Sequence, residues 1–158
     1  MAERRYWLLK SEPSAYSFTD LLGEPDQTAE WDGVRNFQAR NLLRSEMKVG
    51  DGVLFYHSST KPMAVVGTAV VVREGYPDDT AWDPSSDHPD PKSTPENPIW
   101  YVVDIRGEAE FKRPVTLEEI KAHPGLRKMV LVNRSRLSVQ PATVDEWRII
   151  VDLGANDQ

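Results

Sequence analysis

Five prolines, Pro77, Pro84, Pro89, Pro91 and Pro95, fall within one short stretch, and no helix or central strand can run through them. Each fixes its φ angle and lacks the N–H that a helix turn or an inner ladder requires. The stretch is also acidic. Residues 74–96 hold Glu74, Asp78, Asp79, Asp83, Asp87, Asp90 and Glu96 against Lys92 alone, a net of −6, which equals the formal charge of the whole 158-residue chain. The segment at about 74–98 is therefore read as a long loop. Loops beyond about 12–15 residues inside compact domains are commonly functional or disordered. It is either a solubilising insertion or a lid, and the fold must be built from what flanks it.

The flanks divide into short apolar runs with clear punctuation. Tyr6-Trp7-Leu8-Leu9 reads as a buried strand, as do Val53–His57, Ala64–Val72 with a bend or bulge at Gly67, and Ile99–Ile105. Gly107 to Phe111 is expected to pair with the last of these as a hairpin, and Met129–Val132 to form a short final strand. Ser17-x-x-Asp20 before Leu21-Leu22-Gly23, Thr116-x-x-Glu119 and Thr143-x-x-Glu146 are capping signals, each opening a helix. Asn36 to Met47 carries Ala39, Leu42, Leu43 and Met47 at helical spacing, with Arg40 and Arg44 on another face. Strands at irregular spacing with helices between them, and no strict βαβ alternation, point to an α+β fold: a mixed β-barrel with peripheral helices.

Several chemistries are excluded early. There are no cysteines, which removes disulfides, thiol nucleophiles and Cys-based metal centres. The three histidines, His57, His88 and His123, are scattered, and Asp87-His88-Pro89-Asp90 has no second histidine near it, so no metal and no cofactor are expected. Neither a phosphate loop nor a dinucleotide fingerprint occurs. A Gly-x-Ser-x-Gly elbow is absent too, and His57 and Ser58 on an extended chain point to opposite faces. The longest weakly polar run, Met63 to Val72, is far short of the ~20 residues that span a bilayer. The chain is read as a soluble, cytoplasmic monomer with no membrane partner.

What remains is polar residues at the ends of apolar segments, where pockets gather convergent groups. Lys10-Ser11 closes the first strand, Trp31-Asp32-Gly33-Val34-Arg35-Asn36 opens the basic helix, His57-Ser58-Ser59 closes the next strand, and Arg136-Leu137-Ser138 lies near the end. Trp31 could stack on a flat heteroaromatic ligand while Asn36 reads its edge. Equally, Trp31 could be core and Asn36 a helix cap. An overall pI of about 5.1 argues against an indiscriminate binder of phosphates. Two stretches are nonetheless basic, residues 35–48 at a net of +3 and residues 127–136 at +4.

These same residues resemble the EVE domain family. Trp7-Leu8-Leu9-Lys10-Ser11-Glu12-Pro13, Trp31-Asp32-Gly33-Val34-Arg35-Asn36 with Gln38-Ala39-Arg40-Asn41, Phe55-Tyr56-His57-Ser58, Tyr76-Pro77-Asp78, Met129-Val130-Leu131 and Arg136-Leu137-Ser138-Val139-Gln140-Pro141 carry the likeness in order. They extend over nearly the whole chain, so residues 1–158 are read as one EVE domain. The resemblance implies a PUA-like pseudobarrel, related in architecture to the YTH readers of methylated adenine. It also implies non-enzymatic binding of DNA or RNA carrying a modified base, such as a methylated or hydroxymethylated cytosine.

By the same resemblance, the ligand-binding residues are Lys10, Ser11, Trp31, Val34, Arg35, Asn36, His57, Ser58, Arg136 and Ser138. A flipped base would stack on Trp31, with Arg40, Arg44 and Arg134 on flanking phosphates. The family's His-Tyr-Asp-Pro-like run is His88-Pro89-Asp90-Pro91 here, and Trp82 is the candidate replacement for the missing aromatic. Trp31→Ala is expected to abolish binding and leave the fold intact. Two other readings compete. One is a small hydrolase or nuclease using His57 with Ser11 or Asp104, and the other a protein-interaction module using the acidic loop.

Overall fold

A computed structural model describes residues 4–134 and 136–155. Its strands form one mixed six-stranded sheet in the order β2-β5-β4-β3-β1-β6. They are β1 (Tyr6–Ser11), β2 (Thr28–Glu30), β3 (Gly52–His57), β4 (Ala64–Pro77), β5 (Tyr101–Thr116) and β6 (Val139–Ala142). Every neighbouring pair is antiparallel except β1 with β3. Around the sheet lie α1 (Phe18–Leu22), α2 (Phe37–Asn41), α3 (Leu117–Ala122), α4 (Val130–Asn133) and α5 (Val144–Ala155). This is the expected α+β arrangement of strands with peripheral helices. Among the described residues no ladder joins β2 to β6, so the pseudobarrel stays open along one seam.

β1 and β3 are central and covered on both sides, which is why both read as continuous apolar runs. Their alternation splits the interior in two. Trp7, Leu9, Val53 and Phe55 face one core with Phe18, Leu43 and Ile105. Leu8, Leu54 and Tyr56 face the other with Ile120, Leu131 and Ile150. The parallel pairing sets Lys10 beside Tyr56 and Ser11 beside His57, so both strands end together at one rim of the sheet.

The capping signals operate as local chemistry predicts. Asp20 N–H donates to Ser17 Oγ while Ser17 N–H donates to Asp20 Oδ2, and Thr143 and Glu146 make the same reciprocal pair. α2 runs straight into a π-helical turn over Leu42–Glu46, completing the expected basic helix. The bulge expected near Gly67 is present as a register shift between Val65 and Gly67.

Three expectations need correction. Residues 107–111 do not turn back: β5 is one continuous strand, with Gly107 opposite Ala69 of β4. A Cβ there would lie 2.9 Å from Leu22 Cδ2, so this glycine admits α1 rather than a turn. Residues 129–132 form no strand; Asn133 and Arg134 N–H groups donate to the Met129 and Val130 carbonyls, closing the short helix α4. Finally, the acidic loop is shorter than expected because β4 continues to Pro77, and it is anchored. Asp78 N–H donates to the Trp100 carbonyl at 2.8 Å, and Trp100 Nε1 donates to Asp90 Oδ2 at 2.7 Å. Ser93, fully buried, accepts the Ile99 N–H.

Candidate functional site

A cleft of about 960 Å³ opens beside the end of β1. That is within the range of small-ligand sites, about 300–1,000 Å³. It gathers six of the ten expected ligand residues: Lys10, Ser11, Trp31, Val34, Arg35 and Ser138. The core reading of Trp31 holds, and the indole also borders the cleft. It belongs to the core, with Tyr16 and Phe55 set edge-on to it at 6.5 and 5.4 Å, and it also forms part of the cleft wall at 8% exposure.

Beside it, Gly33 adopts φ +77°, and a Cβ there would collide with the His88 ring at 2.8 Å. The acidic loop thus folds back over the Trp31–Asn36 segment. Arg35 fixes that contact: its Nη1 donates to Asp78 Oδ2 at 3.0 Å and its Nη2 to the His88 carbonyl at 2.7 Å. Burial of Asp78 opposes its charge, but hydrogen bonds from Thr80, the Gly33 N–H and Arg35 outweigh that and hold the carboxyl below the usual range. Arg35 therefore shapes the wall, with its guanidinium already engaged. The loop is a fixed part of the site.

The cleft contains residues that the sequence reading missed. Asp32 lies 3.6 Å from His88 Nε2, and its pKa is raised, chiefly by burial. Glu30 is raised by burial and then by the neighbouring Asp79, Asp104 and Asp32 charges. Burial, and then the neighbouring Glu24, pushes the Tyr16 phenol up, so that group stays protonated. Asp32 sits inside the very run that was singled out, where Trp31, Val34, Arg35 and Asn36 were weighed. His88 lines the cleft, whereas Trp82, the expected replacement for the missing aromatic, lines neither this cleft nor the cavity next to it.

Four expected residues lie elsewhere. Asn36 caps α2, its Oδ1 accepting the Ala39 N–H at 2.9 Å. His57 Nε2 accepts the Phe18 N–H at 3.1 Å and is neutral, its pKa lowered by burial. Ser58 and Arg136 line an adjoining cavity of about 640 Å³, which also takes Lys10 and Ser138. Of the expected phosphate contacts, Arg40 is tied to the Ile99 carbonyl at 2.7 Å and lies over the Phe37 ring, Arg44 lies over Tyr101, and Arg134 is exposed. The groups named for the hydrolase alternative are each hydrogen-bonded within the fold. Ser11 Oγ donates to the Tyr16 carbonyl, Asp104 accepts from the Tyr76 hydroxyl, and His57 is occupied by backbone. Among the described residues no group of three His, Asp or Glu could hold a metal ion, and no helix is long and apolar enough to cross a membrane.

An open mixed sheet with short peripheral helices and a polar, aromatic-walled cleft at its rim defines a PUA-like α+β domain. The chain belongs to the EVE domain family, whose pattern matches residues 5–153. It is 44% identical to Thymocyte nuclear protein 1 of Mus musculus over 165 aligned positions, covering 94% of this chain and 73% of the mouse protein. The crystal structure of the human THYN1 protein in complex with 5-methylcytosine containing DNA superposes with a TM-score of 0.91. It shares 38% identity and covers 98% of this chain and 99% of that one. A hypothetical protein from Leishmania major gives a TM-score of 0.91 at 47% identity, covering 96% and 95%. The expected cytoplasmic location does not stand, because the name carried by the mouse and human relatives points to the nucleus.

Proposed function

We propose that this chain is a non-catalytic nucleic-acid reader that takes a modified base into the Trp31 cleft. The observation that carries the reading is the cleft itself: an indole wall beside the Asp32 carboxyl, which is open to the cleft, in a fold shared with a relative seen on 5-methylcytosine DNA. A base extruded from a strand offers one flat face and one hydrogen-bonding edge. Trp31 meets the face. Asp32 and Glu30 supply acceptors, which suit an amino edge such as cytosine N4 and disfavour the carbonyl at the same position of thymine. Ser11 and Arg35 keep the walls in place, and Val34 gives a modifying methyl group an apolar surface. The fixed loop carrying His88 closes the far side.

Arg40, Arg44 and Arg134 lie outside the cleft and meet flanking phosphates. They position the strand without reading sequence. The test is fluorescence anisotropy on oligonucleotides of equal length that carry 5-methylcytosine, cytosine or thymine at one position, at fixed salt. Tighter binding of the 5-methylcytosine strand supports the reading, and equal affinity for all three refutes it. Arg40→Ala with Arg44→Ala should flatten the dependence of log K on log salt by about 1 per lost phosphate contact.

A further inference from the structure

We propose that the cavity adjoining the Trp31 cleft is a phosphate subsite: it holds the phosphate and sugar attached to the base in the cleft. This inference rests on the base-binding reading above and adds a direction to the strand.

The two spaces adjoin. Lys10, Glu12 and Ser138 line both, at the end of β1 where the sheet's two faces meet. Ser11 and Trp31 belong to the cleft, whereas Tyr56 and Ser58 belong to the adjoining cavity, following the alternation of β1 and β3. A single nucleotide could therefore lie across the strand end with its base on one side and its phosphate on the other.

The charges of the two spaces differ. The cleft has five carboxylates, Glu12, Glu24, Glu30, Asp32 and Asp87, against Lys10 and an Arg35 already paired with Asp78. A phosphate sharing that space would be repelled. The adjoining cavity reverses the sign, with Lys10, Lys121 and Arg136 against Glu12. Glu12 there accepts from Ser59 Oγ at 3.3 Å. Ser58, Ser59 and Ser138 add hydroxyl donors, and Met63, Leu117 and Leu131 give a sugar apolar surface. Lys10 stands at the join, half-buried, with its Nζ 5.7 Å from the Tyr56 ring centroid, and burial lowers its pKa. An anion beside it restores part of the lost solvation.

The experiment is calorimetric titration of the full chain with 5-methyl-2′-deoxycytidine and with its 5′- and 3′-monophosphates. One monophosphate is expected to bind about tenfold more tightly than the nucleoside, the factor that one net charge-assisted hydrogen bond supplies. Which of the two gains sets the strand direction. Lys121→Ala, alone and with Arg136→Ala, should remove most of the gain, while Lys121→Ala leaves nucleoside affinity within about twofold. The proposal is overturned if neither monophosphate gains, or if the gain survives the double variant. Should the nucleoside bind too weakly to measure, the salt slope for a 5-methylcytosine oligonucleotide decides the matter. The double variant flattens that slope by about 1, the share of one phosphate, if the subsite is real, and an unchanged slope refutes it. Failure of every modified-base oligonucleotide to bind would instead refute the reader itself.

Discussion

Arg35 Nη1 lies 3.0 Å from Asp78 Oδ2, and the Asp78 side chain is fully removed from solvent. Arg35 follows the Trp31–Gly33 wall and Asp78 opens the proline-rich loop, so this one ion pair fastens the loop to the cleft. Arg35→Ala would leave a buried carboxylate without its cation. Removing one partner of such a pair typically costs about 3–5 kcal/mol, and a drop of that size in urea-melt stability is expected. The folded pKa of Asp78 is depressed, so its contribution is present above the unfolded carboxyl range and is lost as pH falls through the folded value. The stability difference between wild type and variant should accordingly shrink in acid. A difference that stays constant down to pH 2 would mean that the pair does not anchor the loop.

Trp31 must be tested conservatively. Because it is 8% exposed and packs on Tyr16 and Phe55, Trp31→Ala would open a core cavity at a cost of about 3–5 kcal/mol, contrary to the expectation of an intact fold. Trp31→Phe keeps most of the packing. It should weaken binding to a 5-methylcytosine oligonucleotide by roughly tenfold, within the ~1–3 kcal/mol range of base–aromatic stacking, while circular dichroism stays native. Undiminished affinity would remove Trp31 from the recognition surface.

How far these features could be read from the sequence depended on how local they are. The Ser17/Asp20 and Thr143/Glu146 boxes involve atoms three residues apart, so their helices were legible. Val130–Asn133 was not, because the four apolar residues of Met129–Val132 complete no period that separates helix from strand. Gly107 looked like a turn because the reason for it, Leu22 of α1, arrives from 85 positions away in the chain, at residue 22. The site shows the same division. Ser11 and Trp31 stand at segment ends and announced themselves. Asp32 and His88 gain meaning only when the loop folds back, and the separation of Ser58 from the cleft follows from the pleat of β1 and β3.

Asp32 should make binding depend on pH in a defined direction. Its folded pKa is raised, chiefly by burial, so it takes up a proton at higher pH than an ordinary carboxyl. It is the stronger acceptor for an amino edge when ionised. Affinity for the 5-methylcytosine strand should therefore fall as pH drops through the raised value, above the usual ~3.9. Asp32→Asn retains a carbonyl acceptor that does not titrate, so its binding should be weaker at neutral pH and flat across the same window. If the two proteins show parallel pH curves, the carboxylate is not the titrating acceptor.

His57 is expected to act on stability. Its Nε2 accepts the Phe18 N–H and so holds the start of α1 to the end of β3, which requires an unprotonated nitrogen. Burial depresses its folded pKa, hence the native state binds this proton less readily than the unfolded chain does. The contribution is complete above the unfolded value of ~6.5 and is lost as pH falls from there through the folded value. His57→Gln offers an amide oxygen to the same N–H without titrating. The variant should lose about 0.5–1.5 kcal/mol at pH 7.5 through poorer geometry. Between pH 6.5 and 5 it should lose less further stability than the wild type, a convergence that urea melts at the two pH values will reveal. Parallel losses in both proteins would place the acid sensitivity in another group and leave His57 as packing alone.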